Sequence, residues 1–390
     1  MIIFRIFLTA ILLCHSISLY ADDGLLDIGR AVSIDVMLEN AIRRGLISGG
    51  VVAVGNHTGQ LYGTAQGRLY PDAGAPLLSD RTLFDTASLT KVLATAPAIM
   101  KLLEQGKISL LDPLTRWFPE FEDSNRDEIT ILNLLTHTSG MNDVEIAAGN
   151  PLGSLIEKAI MQDSGALPGN RFRYADINFI LLGELVKRVA GMPLDRFSTE
   201  YIYAPIGMAE TAFLPQANYN TIAPTAGYDR TLTAGVVQDS NARRFGGVAG
   251  HAGVFSTASD LNRFATMILN RGKYKGVQVF TERVITQMTS PYFYSSGRVI
   301  RGLGWDINSP FSSPRGSYFS DMSFGHTGYS GSSIWIDPDQ DLYVILLTVR
   351  LDYANVRQFN QLRSDISSLA VSIFSTPRIA AEIANGTKIP

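Results

Sequence analysis

Apolar residues follow helical spacing in some stretches of the chain and strand spacing in others, and the change of period predicts its elements. Helical spacing over residues 28–46 predicts a first helix. Two short apolar runs, 51–54 and 61–63, follow it and are separated by a turn at 56–59. The chain therefore opens with a helix and a pair of strands, and His57 lies in the turn between the strands.

A second helical pattern begins at Ser88 and continues to about residue 105, where Gly106 predicts its end. Pro97 lies inside this pattern. Proline removes one backbone hydrogen bond and clashes with the preceding turn, so we expect a kink there.

The middle of the chain, residues 110–250, is mostly helical segments broken by loops rich in proline, glycine and asparagine. One predicted helix covers 129–135 and another covers 179–189, with Tyr174 on the loop before it. Four glycines between 246 and 253 predict a tight backbone bend that leads into a helix at 258–269.

The C-terminal part returns to strand patterns and ends in one helix. The predicted elements are strands at 302–305 and 323–328, a hairpin of 332–336 with 342–349, and a helix at 356–374. Strands at both ends of the chain with helices between them indicate an α+β fold, in which one antiparallel sheet is built from both termini and flanked by helices.

This pattern divides the chain into parts. Residues 22–87 and 251–377 form the α/β part with the sheet, and residues 88–250 form a mainly helical inserted part that carries Ser88 and Tyr174. Residues 378–390 read as a frayed tail.

Composition narrows the classes of partner. The chain has 390 residues, 46% hydrophobic and 18% charged, with a net charge of −3. It can bury a large core, and it lacks the basic surface typical of nucleic-acid-binding proteins. We expect no nucleic-acid partner.

Residues 1–21 resemble a secretory signal peptide, with Arg5 as the sole charge and an apolar run at 6–13. That run is far shorter than the ~20 residues that span a bilayer, so no stable membrane span is expected after its removal. Cys14 is the single cysteine, and the mature chain would contain none. A bacterial periplasmic or secreted location suits such a chain.

Ser88 and Lys91 are three residues apart, which places both on one face at the start of the helix. A serine hydroxyl is a weak nucleophile at neutral pH and needs a neighbouring base or cation before it attacks a carbonyl. Lys91 is the sole lysine in the sequence with a serine at that distance before it. Alone, the pair fits an activated serine and a solvated helix start about equally well.

The histidines give no metal-binding pattern. His137 follows a predicted helix, where a histidine most often bonds free carbonyls, and His251 lies in the glycine-rich bend. The sequence has no His-Glu-x-x-His motif and no cysteine outside the signal segment. We expect neither a metal nor a cofactor.

Three short motifs occur in a recognisable order: Ser88-Leu89-Thr90-Lys91, Tyr174-Ala175-Asp176 and His326-Thr327-Gly328. In this order they resemble the active-site motifs of the serine β-lactamase and penicillin-binding protein superfamily. The similarity extends over nearly all of the mature chain, and it is closest to the class C-like branch, which includes β-lactamases, D-alanyl-D-alanine carboxypeptidases and esterases. It implies a β-lactamase/transpeptidase-like fold.

The resemblance also implies roles for individual residues. Ser88 would be the nucleophile, Lys91 the residue that lowers its proton affinity, and Tyr174 the general base. The oxyanion hole would consist of the backbone N–H groups of Ser88 and Tyr329. A tyrosine's ordinary pKa of about 10 is too high for a base at neutral pH, so Lys91 would have to stabilise the phenolate.

Two motif positions depart from the family pattern. His326 stands where β-lactamases usually have lysine, so a fixed positive charge is replaced by a group with an ordinary pKa near 6.5. If His326 helps to keep Tyr174 ionised, activity should follow a group that titrates between about pH 5 and 8, and His326→Lys should flatten that dependence.

Asp176 stands where an asparagine often bonds the substrate amide, and Asn178 is a possible substitute. Thr327 and Gly328 complete the implied substrate-binding set.

We expect an exported serine hydrolase that forms an acyl-enzyme on a small molecule or a peptidoglycan peptide, with a penicillin-binding D-alanyl-D-alanine carboxypeptidase as the first hypothesis. An esterase on small acyl esters comes next, and a β-lactamase third. The non-enzyme alternative is a sensor or binding protein that is acylated once and stays acylated.

Overall fold

The computed structural model describes residues 29–162, 167–216, 221–227, 231–295 and 298–375. The predicted signal segment 1–21 and the tail 378–390 lie outside these ranges. Within them, no helix is both long enough and apolar enough to cross a membrane.

A five-stranded antiparallel sheet joins the two ends of the chain, as the pattern predicted. Its strands are β1 (Ile47–Asn56), β2 (Gly59–Gly67), β12 (Phe324–Thr327), β13 (Ser333–Asp337) and β14 (Leu342–Arg350), in the order β12-β13-β14-β1-β2. β1 from the N-terminal part pairs with β14 from the C-terminal part, with Val52 opposite Leu346. The backbone ladder therefore fixes the termini against each other.

Helices cover both faces of this sheet. On one face, α1 (residues 29–43) and α10 (Val356–Phe374) enclose a core that includes Ile34, Trp335 and Ile366. On the other face, α8 (Ala258–Leu269) packs across β1 and β14. Since β1 is buried on both faces, it reads as a continuous apolar run rather than an alternating one.

The inserted part is mainly helical, as predicted, and its hydrophobic core is continuous with the core between α8 and the sheet. Its helices and the remaining short elements are β3 (Phe84–Asp85), α2 (Ala96–Glu104), α3 (Ile131–Leu135), α4 (Pro151–Met161), α5 (Asp176–Ala190), α6 (Leu194–Ser198), β4 (Ala212–Phe213), β5 (Thr225–Ala226), β6 (Leu232–Thr233), α7 (Ser240–Arg244), β7 (Val254–Ser256), β8 (Lys273–Tyr274), β9 (Val277–Gln278), α9 (Glu282–Thr289), β10 (Phe293–Ser295) and β11 (Arg298–Arg301).

The helix that carries Ser88 has an irregular start. A 3₁₀ turn covers Ala87–Leu89 and a π-helical turn covers Lys91–Thr95, before α2 becomes regular. Pro97 lies in the first turn of α2, where a missing N–H costs least. The irregularity expected at Pro97 thus takes the form of a widened turn just before it.

Residues 302–305 do not form the predicted strand. Gly304 has a φ of +85°, which strands do not allow, and its N–H donates to the Leu135 carbonyl. The segment is a tight turn whose ends, Arg301 and Asp306, pair across it. Its apolar residues are buried as loop residues, so the hydrophobic pattern alone misassigned it.

Candidate active site

A cavity of about 910 Å³ lies between the sheet and the inserted part. All three sequence motifs contribute to its wall. Ser88, Tyr174, Asp176, His326, Thr327, Gly328 and Tyr329 line it, together with Arg301 and Asp239, which the motifs did not include.

The backbone just before Ser88 is held in a strained conformation. Ala87 has a φ of +48°, which is uncommon for a residue with a side chain. The buried carboxylate of Asp85 accepts the Ala87 N–H at 2.8 Å and the Gln238 N–H at 2.7 Å. Ser330 donates to the Asp85 carbonyl at 2.6 Å. Because these bonds fix the turn, the Ser88 side chain projects into the cavity.

Lys91 is fully buried directly beneath Ser88. Its ammonium donates to Ser88 Oγ at 3.1 Å, to Asp176 Oδ1 at 2.7 Å and to the His251 carbonyl at 3.3 Å. An ammonium has three N–H groups, and here each has an acceptor. Burial alone would lower the pKa of Lys91, but the Asp176 carboxylate and Tyr174 raise it, so the side chain is a cation at neutral pH.

Tyr174 lies on the loop just before α5, with its hydroxyl within hydrogen-bonding reach of Ser88 and Lys91. Burial raises the pKa of the phenol; the Lys91 charge lowers it, and the Asp176 charge raises it again. The net rise means that Tyr174 is a neutral phenol in the resting site. The ammonium of Lys91 is shared with Asp176 and only partly favours the phenolate.

His137 forms the platform under Tyr174. The two rings stack at 4.4 Å between centroids, and His137 Nδ1 accepts the Ala175 N–H at 3.3 Å. Its pKa lies well below the ordinary value because the ring is buried near Arg301 and Lys91. The structural interpretation of His137 therefore holds, although the ring accepts a hydrogen bond instead of capping helix carbonyls.

His326 is buried on β12 with its Nδ1 2.9 Å from the Thr327 carbonyl. A ring nitrogen facing a carbonyl must carry the proton, so Nε2 is the unprotonated acceptor in the neutral ring. Burial lowers the pKa of His326 well below 6.5, and the Arg301 and Lys91 charges lower it further. These effects on the pKa of His326 favour the neutral imidazole at neutral pH, and they count against the expected titration of His326 between pH 5 and 8.

Asn178 does not reach the cavity. Its side chain is fully buried, accepts from Ser139 Oγ at 2.6 Å, donates to the Ala175 carbonyl at 3.1 Å and contacts His137. These bonds leave it no free group for a substrate. It orients the segment that carries Tyr174, and it cannot replace the asparagine that Asp176 displaced.

Two residues absent from the sequence motifs complete the surroundings of Lys91. His251 Nε2 lies 2.8 Å from Asp239 Oδ1, and one oxygen of Asp176, one of Asp239 and a His251 nitrogen lie within 4.8 Å of one another. The Asp239 side chain also accepts the Ala242 N–H at the start of α7. His251 was interpreted as a loop residue, and nothing in its local sequence indicated this contact.

Arg301 is a second residue without a local signal. It is fully buried at the end of β11, 3.5 Å from Asp306, and donates to the Gly304 carbonyl at 2.9 Å. It lines the cavity together with His326 and Thr327, and its charge contributes to the lowered pKa of His326. A positive charge is thus present in this region, but it comes from a different strand.

The turn after β12 places Tyr329 in the wall of the cavity that Ser88 also lines. Gly328 is required there, because a Cβ at this position would clash with the Thr86 carbonyl and with Ser332. Ser332 Oγ donates to the same Thr86 carbonyl at 2.8 Å. The turn is therefore in direct contact with the segment that precedes Ser88.

Comparison with known proteins supports the family that the motifs resemble. The protein-family model described as Beta-lactamase matches residues 38–363. A proposed D-alanyl-D-alanine carboxypeptidase of Escherichia coli (strain K12) is 32% identical over 305 residues, which cover 68% of this chain and 69% of that protein.

Solved structures with the same fold include a class C beta-lactamase, with a TM-score of 0.73 at 18% identity over 89% of this chain and 97% of that one. Another is EstCE1, described as a hydrolase with promiscuous acyltransferase activity. Its TM-score is 0.70 at 20% identity, over 88% of this chain and 99% of that one. At these identities the likeness establishes the fold.

Proposed function

This chain belongs to the beta-lactamase family of serine hydrolases, and we propose that it is a D-alanyl-D-alanine carboxypeptidase-like peptidase acting through an acyl-Ser88 intermediate. The observation that carries the proposal is the 3.1 Å contact between Ser88 Oγ and the buried Lys91 ammonium, in the wall of a cavity large enough for a peptide. The name of the Escherichia coli relative supports the peptide substrate.

The proposed chemistry begins when Ser88 Oγ attacks the carbonyl carbon of the scissile amide. Tyr174 is a neutral phenol at rest and first loses its proton to solvent. The phenolate beside the Lys91 ammonium then accepts the serine proton, and the phenol so formed returns it to the leaving amine. Water hydrolyses the acyl-Ser88 ester in the second half of the cycle. The backbone N–H groups of Ser88 and Tyr329 would bind the negatively charged oxygen, and such donors are typically worth about 3 kcal/mol each. These proposed steps need no cofactor or metal.

The site has groups of the right kind for a free C-terminal carboxylate. Arg301 and Thr327 line the cavity together with neutral His326. A guanidinium binds a carboxylate through charge-assisted hydrogen bonds, whereas the unprotonated Nε2 of His326 can only accept. Arg301 is therefore our candidate for carboxylate recognition in place of the usual lysine.

Turnover of matched substrates tests this function. We expect the purified protein to release D-alanine from a D-alanyl-D-alanine peptide and to act more slowly on the same peptide with an amidated C-terminus, since the amide lacks the carboxylate. Mass spectrometry of the products measures both rates. Turnover of a short-chain p-nitrophenyl ester with no peptide cleavage would favour the esterase instead.

Replacing Arg301 should separate binding from chemistry. Because Arg301→Met leaves the buried Asp306 carboxylate without its partner, the variant should also carry Asp306→Asn. A charged hydrogen bond is worth about 1.5–3 kcal/mol, so KM for the carboxylate peptide should rise about 10- to 100-fold. KM for the neutral ester is the control and should stay unchanged. An equal rise for both substrates would mean that Arg301 only supports the loop.

The esterase remains the second candidate, since neutral His326 suits substrates without a carboxylate. A β-lactamase is third, because His326 and Asp176 both depart from the motifs usual in β-lactamases. A single stoichiometric acylation without turnover would indicate the sensor.

Because residues 1–21 resemble a signal peptide, we also propose export, which would bring the protein to peptidoglycan peptides.

A further inference from the structure

Two arginines that no sequence motif indicated donate to the turn that follows β12, where the Gly328 carbonyl also accepts the Gly331 N–H at 3.2 Å. Arg363, on α10, donates from Nη2 to the Gly328 carbonyl at 2.6 Å and to the Ser332 carbonyl at 2.8 Å. Arg350, at the end of β14, donates from Nη1 to the Tyr329 carbonyl at 3.2 Å. Three carbonyl groups of one short turn are thus bound by guanidinium groups.

The bond to Gly328 has a consequence for Tyr329. The carbonyl of residue 328 and the N–H of residue 329 belong to one planar trans peptide, and in such a peptide they point in opposite directions. With the Gly328 carbonyl turned towards Arg363, the Tyr329 N–H is turned away from α10. Among the described residues this N–H has no acceptor, and Tyr329 lines the cavity beside Ser88.

The bond also affects how strongly the Tyr329 N–H can donate. A cation on a carbonyl oxygen draws electron density through the amide, and hydrogen bonds linked in series strengthen one another. An N–H polarised in this way is a better donor to a negative oxygen than an ordinary peptide N–H. The gain is larger for an oxyanion than for a neutral substrate carbonyl, because the interaction grows with the charge on the acceptor.

Arg363 is poorly explained as an ordinary structural cation. It is 4% exposed, and within the described ranges no carboxylate lies at ion-pair distance from it. Burial and the neighbouring Arg350 lower the pKa of Arg363 to about 9, so the group is still charged at neutral pH. An unneutralised buried charge is costly, and an apolar side chain would fill the same space without that cost.

We propose that Arg363 is a positioning residue that orients and polarises the Gly328–Tyr329 peptide as the second donor of the oxyanion hole, with Arg350 holding the far side of the turn. The proposal rests on the hydrolase function proposed above. It assigns to α10, distant in sequence from every motif, a part in stabilising the transition state.

Two substitutions test this role. Arg363→Met removes the charge at similar length, and loss of one oxyanion donor typically costs 10²–10³-fold in kcat. In Arg363→Met the Gly328–Tyr329 peptide group would still be present but less firmly oriented. We therefore expect kcat to fall about 10- to 100-fold, with KM within about twofold. The substrate is whichever of the D-alanyl-D-alanine peptide and the p-nitrophenyl ester the wild type turns over faster. Arg363→Lys keeps a cation near the Gly328 carbonyl and should restore a substantial part of the lost kcat.

The affinity for a transition-state analogue distinguishes this role from a purely structural one, which would leave that affinity unchanged. A boronic acid forms a tetrahedral adduct with the serine, and its affinity should fall in Arg363→Met by the same factor as kcat/KM. Arg126→Met is the matched control, because Arg126 is also buried and donates to two backbone carbonyls, those of Ala159 and Gln162, away from the cavity. It should lose thermal stability and keep its kcat.

The outcomes separate the two proposals. If Ser88→Ala is inactive and Arg363→Met keeps the wild-type kcat and boronic-acid affinity, the role of Arg363 is disproved and the hydrolase function stands. If Ser88→Ala retains full turnover, the function itself fails. Should Arg363→Met not fold, Arg363→Lys alone decides: wild-type KM with reduced kcat supports the proposal, and raised KM with wild-type kcat overturns it.

Discussion

Replacing Ser88 with alanine should abolish turnover of every substrate, lowering kcat by about 10⁴-fold or more. The reason is that the acyl-enzyme has no other attachment point, while Lys91 beneath Ser88 and the oxyanion groups leave only weak residual catalysis. Intact mass after incubation with benzylpenicillin checks the same residue directly. The wild type should gain a covalent adduct, and Ser88→Ala should gain none.

Ser240 provides the control for this experiment, because it also lines the cavity but lies at the start of α7. Ser240→Ala should keep both the adduct and most of the activity. An adduct that persists in Ser88→Ala would assign the nucleophile elsewhere. Absence of any adduct on the wild type would leave the family assignment intact and would favour the esterase, or an amide substrate without a recognised carboxylate.

The spacing of apolar residues was enough to predict several of the regular elements. The helix at 258–269 and the helix at 356–374 have the predicted bounds, and the hairpin of β13 and β14 agrees within one residue. The turn at 302–305 was missed because its buried apolar residues resemble a strand, while the left-handed conformation of Gly304 is a property of the tertiary fold. The π-helical turn at Lys91–Thr95 was predicted only as a kink at Pro97.

Some residues of the site could be predicted from the sequence, and others could not. The three-residue spacing of Ser88 and Lys91 placed them on one helical face, but the other two motifs were needed to favour an activated serine over a solvated helix start. Asp239, Arg301 and Arg363 reach the cavity from three separate elements, and their local sequence has nothing that distinguishes a cavity residue from an ordinary surface charge. The charge state of His326 was also out of reach, because burial beside Arg301 determines it.

Removing only the Tyr174 hydroxyl should have the second-largest effect. In Tyr174→Phe the ring can still stack on His137, so the fold should persist while the proton acceptor is lost. General acid–base groups contribute about 10²–10⁴-fold, and we expect kcat/KM for a peptide to fall within that range. A p-nitrophenyl ester should be affected less, because its leaving group needs no proton. Tyr353→Phe, which alters a cavity tyrosine bonded to Gln238, should be close to wild type.

The pH dependence of kcat/KM tests whether Tyr174 acts as a phenolate. Burial raises the pKa of the phenol, Lys91 opposes that rise, and the Asp176 carboxylate adds to it. If the phenolate is the base, kcat/KM should increase with pH below that pKa. Asp176→Asn removes a negative charge, so the pKa falls and the increase should move to lower pH. Tyr174→Phe should lack the increase, and His326→Gln should retain it. A profile unchanged by Asp176→Asn would exclude Tyr174 ionisation as the controlling step.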